Sequence, residues 1–475
     1  MRTAWFKTRC VVSVDTHNEV RFAAVPLSGG DWGRRKQRAG PRWIYTGRGL
    51  KASQFGDRFG TSTPSGTPVA PKLAVTISSL HALIGYHKRR RRNQMGDVND
   101  WTRITFLESA ENLKPRIKAL TGKIPSTSIA RDIGVCLQQG RLFFESAERS
   151  ELAIQPLLFF YGTLAFAKAL VVGRTLQSTA TLPQSHGVSD VSRPTARLSE
   201  LEVRVGSCGT FQRFNDVVAQ LNRFKYFDRE SMTRSFTLPA ASSVEMEGVR
   251  FTVKEILSRI PGLGALYQRT YHEPANTEPV TVNPALNDNT YWQLRIDDHA
   301  LFSDRASLKV LVQSWRARFP VLNRFRVVEA GCAWDNAIVL FANVPVPPNE
   351  LDEEVLLQDQ TRFVTIDRPE QDASVKRLPI ESLIDPDGGS FDGARSLLSP
   401  HRGVYASKYS LHYLAMFMLS SLVRYRPQAW VHAITRTANS QRPADDQALT
   451  LLAAFMRLHS MEVPALVAGT FDPDD

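Results

Sequence analysis

The stretch that organises the chain is YASKYSLHYLAMFMLSSLVRYRPQAWVHAI, Tyr405 to Ile434, where Leu411, Leu414, Met418 and Leu422 recur at helical spacing. Met416, Phe417, Leu419 and Val423 fill much of the remaining circumference, and a helix apolar all round belongs in the middle of a bundle. It ends in a basic, proline-marked corner, Arg424-Tyr425-Arg426-Pro427, with Trp430 and His432 just beyond.

The same reading predicts a lead-in helix over Trp101–Leu120 and a helix over Ile129–Ala147, capped from Ser126-Thr127-Ser128 with Ile133, Leu137 and Phe144 inward. A third helix, Glu151–Val172, has Pro156 near its start, and the short link before it predicts an antiparallel hairpin. LPQSHGVSD, residues 182–190, reads as a loop, and Ser207–Arg223 as an amphipathic helix. Beyond Val249 the period changes to two: VRFTVK, WQLRID, FRVVEAG, AIVLFANVPV and RFVTID read as strands. Among them Ser303–Arg318 is a helix with Leu308, Leu311, Val312, Trp315 and Phe319 in one stripe and Ser303 as its cap. DPDGGSFDG reads as a turn, and Ala444–Ser460 as a last helix. The expected fold is α+β, mainly α: residues 95–244 and 376–475 form one helical bundle, and 245–375 are an inserted, mainly antiparallel α+β module.

Charge adds a further division. Residues 1–94 hold 18 Lys/Arg against 4 Asp/Glu, whereas the remainder holds 41 against 43, so the net charge of +12 belongs to the first segment. That segment includes GGDWGRRKQRAGPRW, FGTSTPSGTPVAP and the basic run Lys88–Arg92, a composition that does not repay the entropy of ordering. A disordered basic arm, a targeting peptide and a translation start at Met95 are the three readings, and the last is favoured because every recognisable pattern begins after Met95. With 43% hydrophobic residues the body can bury a sizeable core. Cys10, Cys136, Cys208 and Cys332 form no CxxC pair, which argues against a zinc site or disulfide framework and fits a reducing cytoplasm. The most apolar run, Leu157–Val172, is short for a membrane span and contains Lys168, so a core helix is expected.

QGRLFFESAERSELAIQPLLFFYGTLAFAKALVV with the following SHG, and SKYSLHYLAMFMLSSLVRYRPQAW, resemble the YaaC-like family of bacterial proteins. The second carries the pattern LS-x-x-x-RY-x-P-x-x-W as Leu419-Ser420, Arg424-Tyr425, Pro427 and Trp430. The resemblance extends by order and length over Met95–Asp475 and implies no particular activity.

One constellation suggests chemistry. Arg426-x5-His432 beside a long bundle helix resembles the metal-independent ribonuclease signature of HEPN-type domains. There His432 would shuttle a proton and Arg426 stabilise charge on phosphate, with two copies meeting across a dimer. Pro427 departs from that signature, which has a polar residue after its arginine, and it draws Arg426 out of helical geometry. The plainer reading makes Arg424 and Arg426 cations at a helix C-terminus and Trp430 core. His186, Arg402 and Arg424 are candidates for binding phosphate or another ligand, His186 from a loop beside Gly187 and Arg402 near a helix N-terminus. No Walker A loop, HExxH, GxSxG, kinase set or dinucleotide fingerprint is present, so no cofactor or metal is expected. The expected role is recognition or assembly with a protein partner or RNA, in the cytoplasm, off the membrane and possible as a homodimer; the ribonuclease is the alternative.

Overall fold

The computed structural model describes residues 8–14, 20–26, 44–46, 49–51, 100–221, 223–226, 234–237, 240–284, 292–298, 308–333, 336–342, 396–434 and 448–472. The chain divides into two units, residues 1–80 and 81–475. In the first, β1 (Thr8–Val14) pairs antiparallel with β2 (Val20–Pro26), and β3 (Ile44–Thr46) with β4 (Gly49–Lys51). The rest of the expected basic arm lies outside the described residues.

The described part of the second unit begins with helical residues 100–107 and α1 (Ala110–Thr121) in place of one lead-in helix. The break has a packing cause. The Glu108 carbonyl comes so close to Gly134 that a Cβ there would lie 2.3 Å from the oxygen. Gly134 belongs to α2 (Thr127–Glu148), whose start is capped by Ser126, its hydroxyl accepting from the Ile129 N–H at 3.2 Å. After a short link, α3 (Gln155–Thr175) follows with Pro156 in its first turn. The pair packs closely because its glycines admit rings. A Cβ on Gly140 would sit 2.4 Å from the Phe166 ring, and one on Gly162 2.5 Å from the Phe144 ring.

Next come β5 (Val188–Asp190), β6 (Glu202–Val205), α4 (Thr210–Val218), β7 (Arg223–Tyr226), β8 (Arg234–Thr237), α5 (Ser243–Met246) and β9 (Arg250–Thr252). β5, β6 and β9 form a three-stranded antiparallel sheet, so the expected 182–190 loop ends in a strand. The expected strand VRFTVK stops at Thr252, where α6 (Val253–Leu257) begins. A capping box turns it: Thr252 Oγ1 accepts from the Glu255 N–H at 3.1 Å, and the Glu255 carboxylate accepts from the Thr252 N–H at 2.7 Å. The helix α7 (Gly264–Tyr271) completes this part.

The chain then leaves the bundle through β10 (Thr277–Pro279) for β11 (Thr281–Pro284), β12 (Trp292–Asp298), α8 (Leu308–Arg318), β13 (Arg326–Ala333) and β14 (Asn336–Ala342). The sheet order is β11-β12-β14-β13, antiparallel throughout. Leu311, Val312, Trp315 and Phe319 bury the expected stripe against Leu294, Ile296, Val339 and Phe341. The chain returns through β15 (Ser396–Leu398), which pairs antiparallel with β10, so one two-stranded ribbon closes the excursion. Ser303, RFVTID and DPDGGSFDG lie outside the described residues.

Among the described residues three helices finish the bundle: α9 (Lys408–Tyr425), α10 (Pro427–Ile434) and α11 (Ala448–Phe471). One apolar cluster joins α1–α3, α9 and α11, and takes in Phe251, Ile256 and Tyr267 as well. The architecture is mainly α with small antiparallel sheets. α11 outruns the expected Ala444–Ser460 because Val463, Leu466, Val467 and Phe471 continue its buried face past Pro464. α3 and α11 are long and apolar enough to cross a membrane, yet 72% and 56% of their most apolar windows are buried inside the protein.

Glycine substitutions test the helix packing. Gly140→Ala and Gly162→Ala should each lower unfolding free energy by about 1–3 kcal/mol in urea titrations. Gly469→Ala, in α11 with nothing within 4 Å of the added Cβ, should raise it by about 0.4–1 kcal/mol.

Candidate functional site

Helix α9 ends at Tyr425 because Pro427 follows. Arg426 adopts φ −138° and ψ 53°, outside the helical region, and α10 begins at the proline. This corner is fixed from two sides. Trp430 is buried, and its indole N–H donates to the Ala153 carbonyl at 2.8 Å, tying α10 to the α2–α3 link. The Arg426 guanidinium turns towards the chain after β5, donating to the carbonyls of Arg193 at 3.1 Å and Ser192 at 3.3 Å. It also lies 3.6 Å from the Asp190 carboxylate. Asp190 accepts in addition from the Ser192 N–H at 2.9 Å and the Ser421 hydroxyl at 3.3 Å. Arg426 is thus engaged in holding a loop against a helix.

His432 lies on the exposed side of α10. Arg426 precedes α10 and turns towards Asp190 and the chain after β5, whereas His432 is exposed on α10 itself. Arg402 is also apart. It is exposed, with φ 52°, in a tight turn with Gly403 at φ 78°. His401 and Val404 close that turn by exchanging backbone hydrogen bonds of 2.8 and 2.9 Å, the arrangement of a two-residue hairpin. The helix N-terminus beyond it is enclosed, since Ser407 is buried and its hydroxyl caps the Tyr409 N–H.

Arg424 and His186 do come together. The Arg424 guanidinium carbon lies 5.9 Å from the Phe160 ring centre, and His186 packs edge-on against the same ring at 5.2 Å. Phe417 closes the group, 5.7 Å from Phe160 and 6.0 Å from His186. The loop that presents His186 is fixed by backbone contacts. Phe211 N–H donates to the His186 carbonyl at 3.0 Å, and the Gln212 side-chain amide donates to the Gly187 carbonyl at 2.8 Å. Gly187 has φ 79°, and a Cβ there would lie 1.9 Å from the Gln212 amide oxygen, so this position admits only glycine.

Electrostatics gives the corner its character. His186 is held below the ordinary histidine pKa, first by burial and then by the charges of Arg424 and Lys168. Among the described residues, neither Arg424 nor Lys168 has a carboxylate within ion-pair distance. Arg424 donates only to the Ser420 carbonyl and hydroxyl, at 3.3 and 3.4 Å, and its guanidinium lies 5.0 Å from the exposed Tyr425 ring. Among the described residues, then, two cations without an ion-pair partner act on a half-buried imidazole. Lys168 was legible in the sequence only as a charge interrupting an apolar run. Its charge acts both on His186 and on the buried Cys136 thiol. Among the described residues no group of His, Cys, Asp or Glu could hold a metal ion.

The model of a family described as YaaC-like Protein matches residues 125–471, and every element of the corner falls within that span. No curated protein and no solved structure matches the chain.

The role given to Asp190 can be checked directly. Asp190→Ala should lower unfolding free energy by about 1–3 kcal/mol, because it removes the acceptor of the Ser421 hydroxyl and Ser192 N–H and the charge beside Arg426. Arg424→Ala, which ends no ion pair, should cost less in the same denaturant titration.

Proposed function

The chain belongs to the YaaC-like family, and we propose that it is a recognition module whose contact point for an anionic ligand or partner is the corner of His186, Arg424 and Lys168. The observation that carries this reading is the pair of cations with no carboxylate partner among the described residues, set beside a half-buried imidazole. Lone surface cations are common. These two are distinguished by a rigid setting of Phe160, Phe417 and a loop fixed through Gly187. An arriving phosphate or carboxylate would offset the cationic repulsion that adds to burial in lowering the His186 pKa, and would add hydrogen bonds to Arg424. Assembly through a second copy of the chain, in a cytoplasmic setting, is compatible with the same surface.

The test uses a labelled single-stranded RNA of mixed sequence in EDTA, with inorganic pyrophosphate as competitor. Binding without cleavage, weakened at least about tenfold by the Lys168→Ala/Arg424→Ala double variant, is the expected result. Affinity unchanged in that variant would move recognition elsewhere on the molecule. Cleavage that disappears in His432→Ala would make the protein a ribonuclease instead. The linkage has a definite sign. Since a bound anion raises the depressed His186 pKa, binding takes up protons, and affinity should increase as pH falls through and below 6.5. Titration calorimetry in buffers of different ionisation enthalpy should register that uptake, and His186→Gln should abolish it.

A further inference from the structure

A cavity of about 430 Å³ opens where α1, α3 and α11 end, beside the first turn of α9. Its lining includes none of His186, Arg424 and Lys168. The volume falls within the range of about 300–1,000 Å³ usual for small-molecule pockets. The local sequence explains why the space is there. Phe471, near the end of α11, is seated on α3, where a Cβ on Gly173 would lie 2.4 Å from its ring. That contact fixes the end of α11 against the bundle. Ala465 and Gly469, four apart on one face of the same helix, line the gap and are too small to fill it. A Cβ on Gly469 would meet nothing within 4 Å.

Two chemistries meet in the lining. Leu120, Leu221, Leu466, Phe471 and the Tyr409 ring supply apolar surface; Leu466 and Phe471 are buried, the other three half-buried. Arg116 and Arg174 are exposed and supply positive charge. The two arginines are not equivalent. Arg116 lies 2.9 Å from the Asp472 carboxylate, which Arg103 also approaches at 3.5 Å. Asp100 faces Arg103 in turn, at 3.4 Å. Among the described residues, Arg174 has no carboxylate within ion-pair distance. It donates from one nitrogen to the Leu120 carbonyl at 3.3 Å, which ties the guanidinium to the cavity wall. Three arginines therefore stand beside two carboxylates, and the surplus charge is that of Arg174.

This balance selects among ligands. A neutral apolar molecule would leave the guanidinium donors unused. A polyphosphate would bring more negative charge than the single surplus cation offsets, and would have to shed water against leucine and phenylalanine side chains. A carboxylate matches the fork of one guanidinium, which can donate two parallel hydrogen bonds to its two oxygens. We propose that the cavity binds a small monocarboxylate with an apolar body. The carboxylate sits on Arg174, and the body lies against Leu466, Phe471 and Tyr409. Arg116, already paired with Asp472, lines the mouth. An alkyl chain and a planar ring share this chemistry, and the experiment tells them apart.

The full chain is titrated calorimetrically with octanoate and with 2-naphthoate, each beside its neutral primary amide. At least one acid should bind at one site per chain, and its amide at least about tenfold more weakly. Binding of octanoate alone assigns the site to aliphatic acids, and binding of 2-naphthoate alone to aromatic ones. Arg174→Met keeps an apolar stem and should lower the affinity of the acid to that of the amide. Gly469→Leu, which places a side chain in the open space, should abolish binding of both. Inorganic pyrophosphate, the competitor chosen for the corner described above, should leave acid binding unchanged. The proposal is overturned by the absence of saturable binding of either acid, by equal binding of acid and amide, or by displacement with pyrophosphate. Those three readings come from the unsubstituted chain, so they decide the matter even if a variant does not fold. Failure here leaves the corner untouched, because no RNA or phosphate binding is measured as the signal.

Discussion

Helix α9 is buried on every side, so each polar group it carries needs a partner inside the protein. Of its eighteen residues, Lys408 and Ser410 through Leu422 are buried. Leaving one polar side chain unpaired there costs about 1–3 kcal/mol. The surrounding elements supply the partners. Asn215 of α4 accepts from Ser410 at 2.7 Å and donates to the Ala241 carbonyl at 2.9 Å. His412 meets His459, and Ser421 meets Asp190 of β5. Each of these contacts joins α9 to a part of the chain distant in sequence. Polar pairs inside an apolar core give the helix one rotation and one register, which apolar packing alone specifies less sharply.

The same constraint accounts for where the proposed anion site lies. Over most of α9 the polar groups are consumed internally. Only at its C-terminal turn does the helix reach the surface, and there Arg424 emerges with Tyr425 beside it. The loop carrying His186 and the α3 residues Phe160 and Lys168 meet it at that place. Arg426, two residues on, has been taken up by Asp190 and the loop after β5. Two arginines on either side of Tyr425 therefore have different settings, one internal and one outward.

Much of this was legible in the sequence. The apolar circumference of Leu411–Val423, the cap at Ser126, the α8 stripe ending at Trp315 and Phe319, and the strands WQLRID and FRVVEAG all follow from period and composition. What escaped was set by distant contacts. Glu108 breaks a helix because Gly134 of another helix is pressed against it. Thr252-Val253 passes from strand to helix because Glu255 completes a capping box. The buried histidine pair had a signal that a period search discounts: Lys408 and His412 four apart, and His459 and Glu462 three apart, within largely apolar helices. Spacing places each pair on one helix face. Only the tertiary packing of α9 on α11 makes four residues a single network.

The central claim is that the surface where α9 emerges is an anion site built from α3, the His186 loop and the α9 C-terminus. Crystals of the protein soaked in tungstate, a strong anomalous scatterer, address it most directly. The account predicts an anomalous peak within hydrogen-bonding distance of Arg424 and His186, and beside Lys168. Peaks confined to other surfaces, with this corner closed by the protein's own carboxylates, would contradict it.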